Sequence, residues 1–176
     1  MPPSDWSAQV RRELVAAGVR VVGYVPDAGH KRLIELCQAD ASMRAVVLTT
    51  EEDGIGLAAG AWLGGKRSVL LMQSSGVGNI INVLGMVQVC RIPLVMVVTM
   101  RGEAGEFNSW QVPMGEATAR VLEAMGVTVQ RAENEGEISS LVKKALRSCY
   151  RDGSASAILI AQRVVGIKSF QDQTNR

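Results

Sequence analysis

The sequence predicts an α/β protein: a doubly wound, six-stranded, mainly parallel sheet with helices on both faces. Three observations carry that expectation. Short apolar runs alternate with longer amphipathic stretches, strand then helix, along the chain. Several of those runs are apolar throughout, as in PLVMVVT at 93–99, the pattern of a strand covered on both faces. Hydrophobic residues make up 47% of the 176, which fits an enclosed sheet or a surface buried against partners. A chain of this length forms one domain, burying roughly 70% of its unfolded surface. That domain is expected over 1–167, with a polar tail at 168–176 and no repeat or linker.

Taken in order, residues 5–17 place Trp6, Val10, Leu14 and Ala17 near helical spacing, and Gly18 stops the helix. A β-branched strand at 19–25 leads into the turn VPDAGH, then an amphipathic helix at 31–39 with Leu33, Ile34, Leu36 and Cys37 inward. A second strand at 45–48 precedes Thr49-Thr50, which can cap a helix over 51–63. That helix carries Gly54, Gly56, Ala58, Ala59, Gly60 and Ala61. Glycine costs ~1 kcal/mol against alanine inside a helix, so this many small residues imply close approach of another element. A strand at 68–72 is followed by a Ser/Gly turn at 73–79 and a helix at 80–89. After the fourth strand at 93–99 comes an irregular loop, MRGEAGEFNSWQVP, whose Phe107 and Trp110 argue for order and whose length argues for function. A helix at 115–125, a strand at 127–130, a helix at 135–150 and a strand at 157–161 complete the pattern.

Charge and composition exclude several classes. Nineteen basic and 17 acidic residues give a net charge of +2, and no basic stripe interleaves with aromatics, so nucleic acid is not an expected partner. The longest apolar run is far short of the roughly 20 residues of a membrane span, and the N-terminus lacks a signal pattern. A cytoplasmic protein follows, with Cys37, Cys90 and Cys149 reduced and buried. The single His30 has no partners at ligand spacing, so no metal site is expected on this chain. There is no GxxxxGK[ST], no GxGxxG after the first strand and no Ser-His-Asp arrangement.

In a doubly wound sheet ligands gather at the carboxyl ends of the strands, which here carry VPDAGH, TTEED, QSSGVGN and the 100–113 loop. Glu51 and Glu52 at a helix start serve the helix dipole or a site. SSGVGN is a tight turn or an anion-binding nest. Arg101 is a surface charge or a bidentate anchor for an anion. His30, in a strand-to-helix turn, is a candidate for substrate contact or proton transfer.

Jointly, VPDAGHKRLI, TTEEDGIGLAAGAWLGGK, LLMQSSGVGNIINVL, IPLVMVVTMRGEAGE and WQVPMG resemble the pyrimidine-binding domain of thiamine diphosphate enzymes, in the subgroup of sulfopyruvate and phosphonopyruvate decarboxylases. The resemblance runs from about residue 19 to 167. It implies that Glu51 hydrogen-bonds N1′ of the cofactor's aminopyrimidine, with Glu52 pointing elsewhere. Gln73, Ser75, Gly76 and Asn79 would line the cofactor or substrate pocket. Asp27, His30 and Arg101 would lie on the side of a small anionic 2-oxo acid. The family's diphosphate and Mg²⁺ site is a GDG followed by Asn on a second domain. No GDG occurs in the sequence, and Asp152-Gly153 has too little chain after it. The resemblance therefore implies a separate beta subunit carrying that site, in a hetero-oligomer of paired alpha and beta chains. His30 and the aromatic loop depart from the family pattern and leave open which 2-oxo acid is used. A nucleotide-binding or regulatory α/β module is the alternative of a different class.

Overall fold

The computed structural model describes residues 5–166; the expected tail at 168–176 lies outside them. Six strands form one sheet in the order β2-β1-β3-β4-β6-β5, with all five pairings parallel. They are β1 (Val19–Tyr24), β2 (Arg44–Val47), β3 (Arg67–Gln73), β4 (Leu94–Thr99), β5 (Thr128–Ala132) and β6 (Ala155–Ile160). The helices are α1 (Trp6–Ala16), α2 (Lys31–Gln38), α3 (Glu51–Leu63), α4 (Ser74–Ile80), α5 (Leu84–Val89), α6 (Val112–Ala124), α7 (Glu135–Asp152) and α8 (Gln162–Val165).

Strand side chains alternate between two cores. Val69, Leu71, Val95, Val97, Ile158 and Ile160 pack under α1, α2 and α7. Leu70, Met72, Leu94, Met96, Val98 and Leu159 pack under α3 to α6. All six residues of β4 and of β6 are buried, as full apolarity requires of central strands. The parallel doubly wound sheet is thus as expected from the sequence, and no helix among the described residues is long and apolar enough to cross a membrane.

Four local expectations are corrected. Residues 74–79 are not a turn: the helix begins at Ser74, breaks at 81–83 and resumes at Leu84. The irregular loop is shorter than 100–113, because a 3-10 turn forms over Ser109–Gln111 and α6 starts at Val112, with Pro113 in its first turn where its missing N–H costs nothing. Thr50 occupies the cap position of α3, but its side chain makes no capping bond. Cys37 and Cys149 are buried thiols whereas Cys90, just past α5, is exposed.

Candidate active site

The strand order places the topological switch between β1 and β3, which leave the sheet toward opposite sides. Asp27 follows β1, and Gln73 ends β3. Gln73 Nε2 donates across the switch to Asp27 Oδ1 at 2.9 Å. Thr99 Oγ1, at the end of β4, and the Gly29 N–H donate to Asp27 Oδ2 at 2.6 and 3.1 Å. Ser75 Oγ extends the chain by donating to Gln73 Oε1 at 2.8 Å. One carboxylate therefore ties the carboxyl ends of three neighbouring strands. A Cβ at Gly29 would press on Thr99 and Asp27, which is why the turn needs a glycine there.

Beside this clamp two helix starts converge. Glu51 opens α3 and is buried, 6% exposed, while Glu52 next to it is exposed. Asn79 Nδ2 of α4 donates to Glu51 Oε2 at 2.8 Å. Gly76 presents bare backbone to Oε1, and any Cβ there would overlap the carboxylate. The acidic first turn of α3 (Glu51, Glu52, Asp53) suits the positive end of its dipole. The small residues of α3 have two separate uses. Gly54 packs flat on Leu70 and Leu48 of the sheet side, whereas Gly56 and Gly60 face open space.

The loop after β4 encloses the site from the other side. The Arg101 N–H donates to Ser74 Oγ at 2.9 Å, fixing the loop to the start of α4. The Arg101 side chain forks onto Glu106, Nε to Oε2 at 2.6 Å and Nη2 to Oε1 at 2.5 Å. The Arg101 hydrogen bond is the main reason the Glu106 carboxyl is held down to about 2. The guanidinium also lies over the Phe107 ring, 5.6 Å from its centroid.

Of the residues singled out by sequence, Glu51, Gly76 and Asn79 form one group, and Asp27, Gln73 and Ser75 another. Arg101 joins them through the loop, with one edge of its guanidinium already engaged by Glu106. His30 stands apart. Its side chain is wholly buried behind Asp27, Nδ1 3.7 Å from Oδ2 and edge-on to Trp6, so it presents nothing to an open surface. Burial lowers it to about 4 despite the neighbouring Asp27 carboxylate. Sequence reasoning missed Ser74, Thr99, Glu106 and Gln162. A usable signal exists for part of this set: Asp27, Gln73, Thr99 and Gln162 are the acidic, amide or hydroxyl residues that close the apolar runs of β1, β3, β4 and β6.

Residues 5–111 match the family model described as thiamine pyrophosphate enzyme, N-terminal TPP binding domain. Among curated relatives, sulfopyruvate decarboxylase subunit alpha of Methanococcus maripaludis is 36% identical over 140 residues, 79% of this chain and 84% of the relative. The corresponding subunit of Methanothermobacter thermautotrophicus is 34% identical over 157 residues, 89% of this chain and 95% of the relative. Among solved structures, a 2-oxoglutarate:ferredoxin oxidoreductase from Magnetococcus marinus shares the fold, with a TM-score of 0.70 and 14% identity. The match covers 89% of this chain and 28% of that one.

Proposed function

The chain belongs to the thiamine pyrophosphate enzyme family through its N-terminal TPP-binding domain, and we propose that it is the alpha subunit of a heteromeric cytoplasmic decarboxylase acting on a small anionic 2-oxo acid. The substrate we assign is sulfopyruvate, giving sulfoacetaldehyde and CO₂. Glu51 carries the reading. It is a buried carboxylate at a helix start, with one oxygen held by the Asn79 amide and the other facing a residue without a side chain.

That donor set fits an aminopyrimidine. Bound thiamine diphosphate supplies the electron sink for loss of CO₂ from a 2-oxo acid. Glu51 holds the proton at the ring nitrogen N1′, and Asn79 keeps the carboxylate from turning away. Burial makes that contact stronger than it would be in water. Gln73, Ser75, Gly76 and Asn79 line the cofactor side, and Asp27 and Arg101 the substrate side. His30 acts on the site only from behind, through Asp27.

The partner is a beta subunit bearing the GDG…N motif, whose side chains hold the diphosphate and Mg²⁺. Two observations support a partner. The relatives named as alpha subunits are matched over 84% and 95% of their own length, and a protein named as a subunit works with another. Leu63, which follows Gly56 and Gly60 at helical spacing on the bare flank of α3, is 86% exposed, and Val89 at the end of α5 is 82% exposed, apolar surface suited to cover by another chain.

The test is co-expression with the beta subunit, then CO₂ release from a panel of 2-oxo acids with thiamine diphosphate and Mg²⁺. Sulfopyruvate is expected to be turned over with the highest kcat/KM; a preference for phosphonopyruvate would keep the chemistry and change the substrate. Glu51→Gln in the same complex is expected to lower kcat by about 10²–10⁴ at saturating cofactor. Near wild-type turnover in that variant would remove Glu51 from the mechanism.

A further inference from the structure

Gln162 opens α8 and is almost wholly buried, yet the chemistry above leaves it without a role. All of its polar groups but its carbonyl are directed at the loop after β4. Its N–H donates to Glu103 Oε2 at 2.8 Å, and its side-chain Oε1 accepts the Glu103 N–H at 3.0 Å. Its Nε2 donates to Glu106 Oε2 at 2.9 Å. Glu106, whose side chain is 1% exposed, also accepts from the N–H groups of Gly102 and Asn108, at 3.2 and 3.0 Å, besides both donors of Arg101. A continuous chain therefore runs Gln162–Glu106–Arg101.

We propose that Gln162 is a positioning residue that, through Glu106, fixes the guanidinium plane of Arg101 toward the anionic end of the substrate. This rests on Arg101 being the substrate-binding cation. Glu106 takes the Nε/Nη2 edge of the guanidinium and leaves Nη1 outside the fork. The backbone of Arg101 is already held, by Ser74 Oγ and by Gly115, where a Cβ would overlap the Arg101 carbonyl. Only the side-chain torsions remain free, and Glu106 sets them. A carboxylate bound by arginine alone could swing with it; three further donors from Gln162, Gly102 and Asn108 prevent that. A neutral amide suits the position. A cation at 162 would compete with Arg101 for Glu106, and a carboxylate would repel both Glu103 and Glu106.

The complex with the beta subunit tests this with Arg101→Gln, Gln162→Ala and the double variant. KM and kcat for sulfopyruvate are measured, together with the Kd of sulfoacetate, a sulfonate without a 2-oxo group. We expect Gln162→Ala to raise KM and Kd by about tenfold, the scale of one charge-assisted contact, with kcat within about threefold. The double variant should be no worse than Arg101→Gln alone, because a residue acting through another adds nothing once that other is gone. An unchanged KM in Gln162→Ala beside a raised KM in Arg101→Gln overturns the inference and leaves the function standing. So do multiplying effects in the double variant. Unchanged constants in Arg101→Gln remove the substrate role of Arg101 and the inference with it. Should Gln162→Ala not assemble, Gln162→Asn, which keeps the amide one methylene short, is held to the same outcomes.

Discussion

His30 is buried with neither ring nitrogen hydrogen-bonded, a state that costs ~1–3 kcal/mol for each unsatisfied group. Burial also lowers its pKa from 6.5 to about 4, against the pull of Asp27. The unfolded chain therefore takes up a proton at this residue before the folded one does. Stability from this source is complete above pH 6.5 and is lost as pH falls toward 4, by on the order of 3 kcal/mol. His30→Leu is expected to raise the Tm and flatten its decline between those two pH values. Thermal melts across that range check it, and a variant curve parallel to wild type would show that His30 is not the titrating group. The sequence marked His30 as a lone histidine in a strand-to-helix turn. Its burial was not legible, because the cover comes from Trp6 of α1, 24 positions away. Arg101 was open in the same way: its residue type announced an anion partner, but only the folded loop shows that Glu106 takes one edge first.

At the scale of elements, the meeting of α3 and α4 depends on one missing side chain. Alanine at 76 would favour the helix by up to ~1 kcal/mol, yet its Cβ would occupy the place of the Glu51 carboxylate. Gly76→Ala is expected to keep its melting temperature while losing turnover on the scale of Glu51→Gln; turnover retained in the assembled complex would contradict the contact. The helical nature of residues 74–80 was hidden by their composition. Ser and Gly read as a turn, and helix forms because Val77 and Ile80, three apart, are buried under the sheet. Tertiary packing here overrides local propensity. Helix α3, read from its start after Thr50 and its small residues, and the long amphipathic α7 were legible nearly to the residue, whereas α8, four residues long, is too short to show a period. Asp27 and Glu51 were likewise visible from sequence, whereas Glu106 and most of the hydroxyl and amide partners that hold it and Asp27 were not, since their meaning lies in strand order.

For the whole molecule, parallel pairing follows from apolar strands separated by helices, and the central place of β4 follows from its lack of any polar alternation. The same architecture sorts charge along the sheet. Helices running against the strands leave their carbonyl ends at the amino edge, where arginines meet them: Arg67 donates to the Ala17 carbonyl after α1, and Arg91 to that of Asp152 at the end of α7. The carboxylates of Asp27, Glu51 and Glu106 gather at the opposite edge. Strand ends of a sheet ordinarily fray independently, each with its own small opening free energy. With β1, β3 and β4 sharing the single carboxylate of Asp27, these ends open together or not at all. Hydrogen exchange should report that as a common opening free energy for the amides of Gly29, Met100 and Arg101. In Asp27→Ala the three should separate and exchange faster while the middle of β4 stays protected. A rim that moves as one piece gives cofactor and substrate the same walls before and after they arrive.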